Sequence, residues 1–490
     1  MSASFVSKQK ETSILYVLFI SCGAALGGFL FGFDTAVING AILALENVFH
    51  AGKLEIGFAV SLPLIGAAIG AFFAGQLANR FGRIRCMMAA SILFFVSSIG
   101  SGFPHGIYDF VLWRIVGGLG VGVASIIVPA YIAEISPARM RGRLGSLQQL
   151  SIVTGIFIAL LSNFIIVSIS GSAEKPLWLG QASWKWMFWV KAFPAVLYGI
   201  IASVLPESPQ YLVAHKREAE AEKVLKRLIP VDAIGKKIED IKKSLVKETA
   251  PKFSDLWDKG KLKPIVWIGL GLASLQQLVG INVIFYYGDV LWRSVGFAEQ
   301  DSLMLNVLSS VINIATTLIA IAVVDNIGRK PLLRIGSIGM CVTLLTMCVI
   351  FATSPTEEGG NPVLSTVFGY DSLHNPITDY DGNILYDRTS GVIAVIAANL
   401  YIVFFGMSWG PVMWVMLGEM FNNRIRGAAL ALCGLVQWLA NFAVSTTFPP
   451  LTAHLGLGGS YGVYTAFAFI SIIFVGVAIK ETKGKELEEM

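Results

Sequence analysis

One carboxylate, Asp34, stands in the run Gly27 to Gly40, GGFLFGFDTAVING, inside an apolar stretch that begins near Ile14. An ionisable side chain at membrane depth costs roughly 2.5–3.5 kcal/mol on insertion scales, so Asp34 implies a job or a partner. A second charge, Arg114, lies eight residues into an apolar run that starts near Ile107. It either snorkels to an interface or pairs with Asp34. A carboxylate whose partner comes and goes with conformation can load and release a proton. Neutral amides also stand in apolar runs: Gln148, Gln149, Gln276, Gln277, Asn282, Asn313, Gln437 and Asn441. Unpaired amides are costly away from water, so they pair between helices or line a site. Each offers donors and acceptors together, which suits neighbouring hydroxyls such as those of a sugar. Gln437 and Asn441, at i and i+4, share a helix face. Gln277 and Asn282 sit roughly 140° apart around a straight helix. They converge only if the helix breaks, and Gly280 is the place for a break. The five histidines (His50, His105, His215, His374 and His454) fall in connecting segments, without a nucleophile or metal-ligand arrangement. Neither an enzyme nor a metal or cofactor site is expected.

The elements that must position these groups are membrane helices. The 490 residues are 55% hydrophobic and 14% charged, against about 25% charged in a soluble protein. Twelve apolar blocks of about 20 residues can be counted, the length that crosses a hydrocarbon core about 30 Å thick. They lie near 14–40, 56–77, 86–103, 107–133, 145–170, 186–205, 264–292, 302–324, 332–352, 390–418, 427–448 and 460–479. With the N-terminus inside, the inner loops carry Arg80, Arg83, Arg85, Arg139, Arg141, Arg143, Arg329, Lys330, Arg334, Arg424 and Arg426. The outer loops carry only Lys53, Lys175, Lys185, Arg293 and Arg388, and the long one at 353–389 is acidic. This asymmetry predicts cytoplasmic termini in a multi-pass protein of the cell membrane. The net charge of +5 is then a topology signal and gives no reason to expect nucleic acid. The five cysteines make no metal or disulfide framework, and no cleavable leader is expected.

The spans fall into two sets of six, which divides the chain into an N-terminal bundle (1–207), a lysine-rich helical linker (208–263) and a C-terminal bundle (264–490). Glu218–Leu228 in the linker reads as an amphipathic helix. The halves repeat. Asn79-Arg80-Phe81-Gly82-Arg83 aligns with Asp325-Asn326-Ile327-Gly328-Arg329, and Gly32-Phe33-Asp34 with Gly280-Ile281-Asn282, at offsets of 246 and 248. Glu134 and Arg141 are seven apart, and so are Glu419 and Arg426. These four groups, with Arg83 and Arg329, read either as a salt-bridge latch at the cytoplasmic end or as plain topology signals. Parallel six-span repeats with a midplane site between them are a recognised transporter plan.

At these residues the chain resembles the sugar porter family of the major facilitator superfamily. The matching motifs are Asn79–Arg83 and Asp325–Lys330, Trp113-Arg114-Ile115-Val116-Gly117-Gly118, Pro206-Glu207-Ser208-Pro209, and Gln276-Gln277-Leu278-Val279-Gly280-Ile281-Asn282. Met407-Ser408-Trp409-Gly410-Pro411 and Gln437-Trp438-Leu439-Ala440-Asn441 look most like the bacterial proton-coupled xylose symporter branch. The resemblance implies an all-α fold of twelve transmembrane helices in two pseudo-two-fold bundles. It implies a sugar site at Gln149, Gln276, Gln277, Asn282, Asn313, Trp409, Gln437 and Trp438. It implies an outer gate at Tyr286 and Tyr287, and proton coupling at Asp34 and Arg114. One departure bears on coupling. Lys191 stands where the symporter has a glutamate. It either snorkels outward among Trp184, Trp186 and Trp189, or points inward and competes with Arg114 for Asp34. Proton symport, uncoupled facilitated diffusion and a non-transporting sugar sensor therefore stay open. The expected partners are a monosaccharide, a proton and the lipid bilayer, with a monomer as the working unit. Xylose, glucose, galactose and arabinose are not distinguished by sequence.

Overall fold

The computed structural model describes residues 2–136, 141–247, 253–258, 260–294, 297–354, 366–367, 386–387, 389–421 and 423–481. The fold follows from the apolar blocks, each closed by a glycine, a proline or a charged loop. In the first half these are α1 (Ser2–Ala36), a 3-10 turn (Val37–Ala41) running into α2 (Ile42–Phe49), α3 (Lys53–Phe81), α4 (Arg83–Gly102), α5 (Ile107–Ile135), α6 (Arg141–Ser170), and α7 (Ser183–Val190) continued by α8 (Ala192–Val204). Three short helices follow: α9 (Pro209–Ala214), α10 (Glu218–Leu228) and α11 (Ile234–Lys247). The expected amphipathic helix is α10, with Ala221, Leu225 and Leu228 buried. The second half holds α12 (Pro264–Leu278), α13 (Ile281–Ser294), α14 (Glu299–Ile327), α15 (Arg329–Thr353), α16 (Thr389–Gly406), α17 (Trp409–Met420) and α18 (Asn423–Val477). Two short antiparallel hairpins, Trp257–Asp258 with Lys261–Leu262 and Thr366–Val367 with Tyr386–Asp387, are the strands among the described residues.

Among the described residues, eleven helical stretches are long and apolar enough to cross a membrane. The last, Ala428–Val477, has 50 residues. At 1.5 Å per residue it is about 75 Å long, more than twice a hydrocarbon core. It is interrupted at Gly456, whose φ is +68°. α18 is therefore two crossings joined end to end, and the count returns to the twelve of the sequence pattern. The fold is that of the major facilitator superfamily.

The halves meet where α3 packs on α18, α6 on α14, and the 3-10 turn and α1 on α13. Small residues set these approaches. A Cβ on Gly57 of α3 would stand 2.9 Å from the Thr446 carbonyl oxygen of α18.

Candidate functional site

Four of the described crossings are interrupted, α1 to α2, α7 to α8, α12 to α13 and α16 to α17, and polar groups gather at the last two breaks. The span from α12 to α13 is interrupted at Gly280, which has φ of +86°. Glycine is needed there twice over. A left-handed conformation costs other residues roughly 1–2 kcal/mol. A Cβ would also stand 2.8 Å from the Tyr464 ring. The break does what the residue spacing asks of it: Asn282 donates a short hydrogen bond to Gln277 Oε1. Gln277 Nε2 donates to Gln276 Oε1 (3.0 Å), and Gln437 Nε2 donates to the same oxygen (2.6 Å). Gln276 Nε2 reaches the carbonyl of Trp409 (3.0 Å), at the break between α16 and α17. Four of the sequence-selected amides thus form one bonded cluster across three crossings. Gly280→Ala is expected to strain the break, pull Asn282 off Gln277 and weaken sugar binding. Equilibrium titration of the purified protein checks this, and unchanged affinity would count against the cluster as the site.

The remaining expected site residues are placed as follows. Asn441 donates to the Tyr286 hydroxyl (3.3 Å), and the Tyr287 hydroxyl donates to the Ser445 carbonyl (2.7 Å). Both tyrosines are buried. Asn313 is buried beside the end of α16, since a Cβ on Gly406 would meet its Oδ1 at 3.4 Å. Trp438 packs against Phe31 of the first half, with ring centroids 5.6 Å apart. Trp409 is fully buried, and its Nε1 donates to Ser337 Oγ (3.0 Å) and the Leu333 carbonyl (3.2 Å). Its indole is thereby anchored to α15. Gln149 is half-buried on α6, outside the bonded cluster.

The charged residues of the first half come together. Asp34, Arg114 and Lys191 are 1%, 2% and 0% exposed, which shows that none of them snorkels. Arg114 Nη1 lies 3.0 Å from Asp34 Oδ1. Lys191 Nζ is paired with that same oxygen and lies 3.4 Å from Ser97 Oγ. Lys191 sits at the joint between α7 and α8 with right-handed helical backbone angles, φ −62° and ψ −24°. Gly117 leaves room for the cluster: a Cβ there would meet Ser97 Oγ at 2.5 Å and Asp34 Oδ1 at 3.2 Å. The guanidinium of Arg114 also stands 5.9 Å from the centre of the Phe188 ring. A cavity of about 20 Å³ adjoins the cluster, lined by Asp34, Thr35, Arg114 and Tyr286 among others. It has room for about one water. Tyr286 therefore lines the cavity beside the charge cluster and accepts from Asn441, which lies one helical turn from Gln437 of the amide cluster.

The arginine-bearing loops are built alike. Arg83 Nη2 pairs with Glu134 at 2.8 Å, and Arg329 Nη2 with Glu419 at 2.8 Å. Each arginine also donates to a carbonyl five residues back, Ala78 (3.2 Å) or Val324 (3.3 Å). Arg426 turns to the Phe421 carbonyl (3.0 Å). The side chain of Arg141 lies outside the described residues. Two acids carry roles that the residue pattern left unassigned. Glu207 accepts from the backbone N–H groups of Arg83 (3.0 Å) and Ile84 (3.3 Å). Glu481 accepts from those of Arg329 (3.0 Å) and Lys330 (3.0 Å). Both satisfy the orphan donors at a helix start, α4 and α15. An acid just past the sixth span of each half was the available signal.

At the opposite end the two halves are tied by hydrogen bonds. Asn39 Nδ2 donates to the Phe285 carbonyl (2.9 Å), and its Oδ1 accepts from Asn306 (3.2 Å) and from the Asp289 N–H (3.3 Å). Thr446 donates to Ser61 Oγ (2.6 Å), and the Ala173 N–H to Glu299 (3.0 Å). The described residues contain no group of three His, Cys, Asp or Glu able to hold a metal ion.

Known proteins resemble this chain over nearly its whole length. A family model described as "Sugar (and other) transporter" fits residues 20–490. The chain is 53% identical to the "Glucose transport protein" of Synechocystis sp., covering 100% of both chains. It is 34% identical to the "D-xylose-proton symporter" of Escherichia coli K12, over 97% of this chain and 95% of that one. Among solved structures it resembles the partially occluded inward-open conformation of the xylose transporter XylE from E. coli. The TM-score is 0.79 and the identity 32%, covering 96% of this chain and 100% of that chain.

Proposed function

This chain belongs to the sugar transporter family, within the major facilitator superfamily, and from that premise we propose that it imports a glucose-class hexose by alternating access, driven by proton entry. It is a membrane-embedded transporter and not an enzyme. The observation that supports the reading is the buried Asp34–Arg114–Lys191 cluster in the first half, with Tyr286 lining the cavity beside it and accepting from Asn441, one helical turn from Gln437 of the amide cluster. The choice of hexose over pentose rests on the likeness to a glucose transport protein over the whole chain length. The amides Gln276, Gln277, Asn282 and Gln437 bind the sugar, with Gln149, Asn313, Trp409 and Trp438 around them. Residues 1–207 and 264–490 rock as two bundles about that site, joined by the linker at 208–263. Tyr286 and Tyr287 gate the outer side. Glu134, Arg141, Arg83, Glu419, Arg426 and Arg329 steady the inner side, both termini are cytoplasmic, and one chain is the working unit in the cell membrane.

The inward position of Lys191 favours a second reading. Two cations on Asp34 hold it ionised, and the protein then acts as an uncoupled uniporter. Uptake of radiolabelled glucose, galactose, xylose and arabinose into proteoliposomes separates the two. Coupled transport is expected to concentrate glucose above its external level only under an inward proton gradient. Equilibration to equal concentrations with or without the gradient means uniport. Preference for xylose over glucose would overturn the hexose assignment.

A further inference from the structure

The charge cluster holds two cations and one anion, and this imbalance decides which group can exchange a proton. With all three groups ionised, the buried site carries one excess positive charge. Protonating Asp34 would raise the excess to two, with no counter-charge left inside. Arg114 does not give up its proton in a protein. Lys191 is the one member whose deprotonation brings the site to neutrality, by leaving the Asp34–Arg114 pair alone. Lysine is also the cation that yields its proton when buried.

We infer that Lys191, and not Asp34, is the residue that carries the coupled proton. The inference rests on the proton-coupled reading above. The neighbours agree with it. α1 presents Asp34, α5 presents Arg114, and α4 presents the Ser97 hydroxyl to Nζ. The 3-10 turn has no ionisable side chain, and α6 has only Arg141 and Arg143, both in its first turn. Across the cavity, α13 offers the Tyr286 hydroxyl. No second carboxylate therefore shares the site among the described residues. The step is an acid dissociation. One N–H bond of the ammonium breaks, the electron pair stays on Nζ, and the proton passes to water. Asp34 then has one cation to hold instead of two. That difference is a two-state bias on how α1 sits against α5 and the α7–α8 joint.

The test uses full-length protein, in proteoliposomes and in detergent. Lys191→Gln and Lys191→Arg are each compared with the wild type for gradient-driven glucose accumulation and for glucose counterflow. Both variants are expected to lose accumulation while counterflow persists. Titrating glucose calorimetrically in buffers of different ionisation heat counts the protons taken up on binding. Uptake is expected in the wild type and absent in Lys191→Arg, whose charge is permanent. If either variant accumulates glucose as the wild type does, or if Lys191→Arg takes up protons on binding as the wild type does, the inference is overturned while coupled transport stands. If the wild type itself fails to accumulate glucose, the coupled reading falls and the inference falls with it.

Discussion

Asp34→Asn is expected to abolish glucose accumulation and to lower the thermal stability of the purified protein, and adding Lys191→Met to it is expected to recover most of that stability. The physical reason is the count of charges. Asp34 is the single anion facing two buried cations. Removing one partner of a buried pair leaves an uncompensated charge and costs roughly 3–5 kcal/mol. Here the loss strands two. Replacing Lys191 as well strands only one, so the double variant is the more stable of the two. Lys191→Met alone leaves a neutral pair and should melt no lower than the wild type. Thermal unfolding of the four proteins in one detergent fixes the order. An Asp34→Asn protein as stable as the wild type would show that the three groups do not depend on one another.

Gln276→Ala is expected to give the largest loss of sugar affinity of any single change in the second half. Gln276 accepts from Gln277 and Gln437 and donates to the Trp409 carbonyl, so it joins α12, α17 and α18. On the proposed reading, truncation removes one sugar-binding amide and leaves Gln277, Gln437 and the Trp409 carbonyl each short of a partner. A sugar hydroxyl left unpaired in the bound state costs about 1–3 kcal/mol, and about 1.4 kcal/mol is tenfold in affinity. A rise of at least about tenfold in the glucose Kd follows. Titration by intrinsic tryptophan fluorescence reads it directly. Asn313→Ala, whose side chain lies outside the bonded cluster, should cost less. Equal losses would mean that the sugar does not depend on the cluster.

Much of this architecture is legible in the residues. The repeat at Gly82 and Gly328 is visible as a sequence offset, and both glycines adopt positive φ, +95° and +100°, ahead of matching helices. The break at Gly280 follows from the wrong angle between Gln277 and Asn282 on a straight helix. What stayed hidden depends on contacts between distant segments. Lys191 follows three tryptophans that look like an interfacial belt, which suggests a side chain reaching outward. In the fold, Trp184 is buried against Phe49 and Phe188, and Lys191 is buried with Asp34, 157 residues away in the chain. Nothing in the local pattern marks that partner. Trp409 is fully buried with its N–H held by Ser337 of α15, a contact across 72 residues of chain that its own surroundings in sequence do not mark. The helix starts that need Glu207 and Glu481 lie 124 and 152 residues from those acids in the chain.

That distance also has a direction. Four acids that hold Arg83 and Arg329 come later in the chain: Glu134 by 51 residues, Glu207 by 124, Glu419 by 90 and Glu481 by 152. During synthesis each arginine therefore meets the insertion machinery before any of these four acids exists. At that moment its charge is uncompensated by them, able, on the proposed orientation, to keep its loop on the side where translation occurs. When the later spans arrive, the same guanidinium is captured by Glu134 or Glu419. On that reading each loop would first direct biogenesis and then fasten the product. Moving Glu134 or Glu419 ahead of its arginine in a rearranged chain would preserve the finished contacts but weaken the instruction that built them.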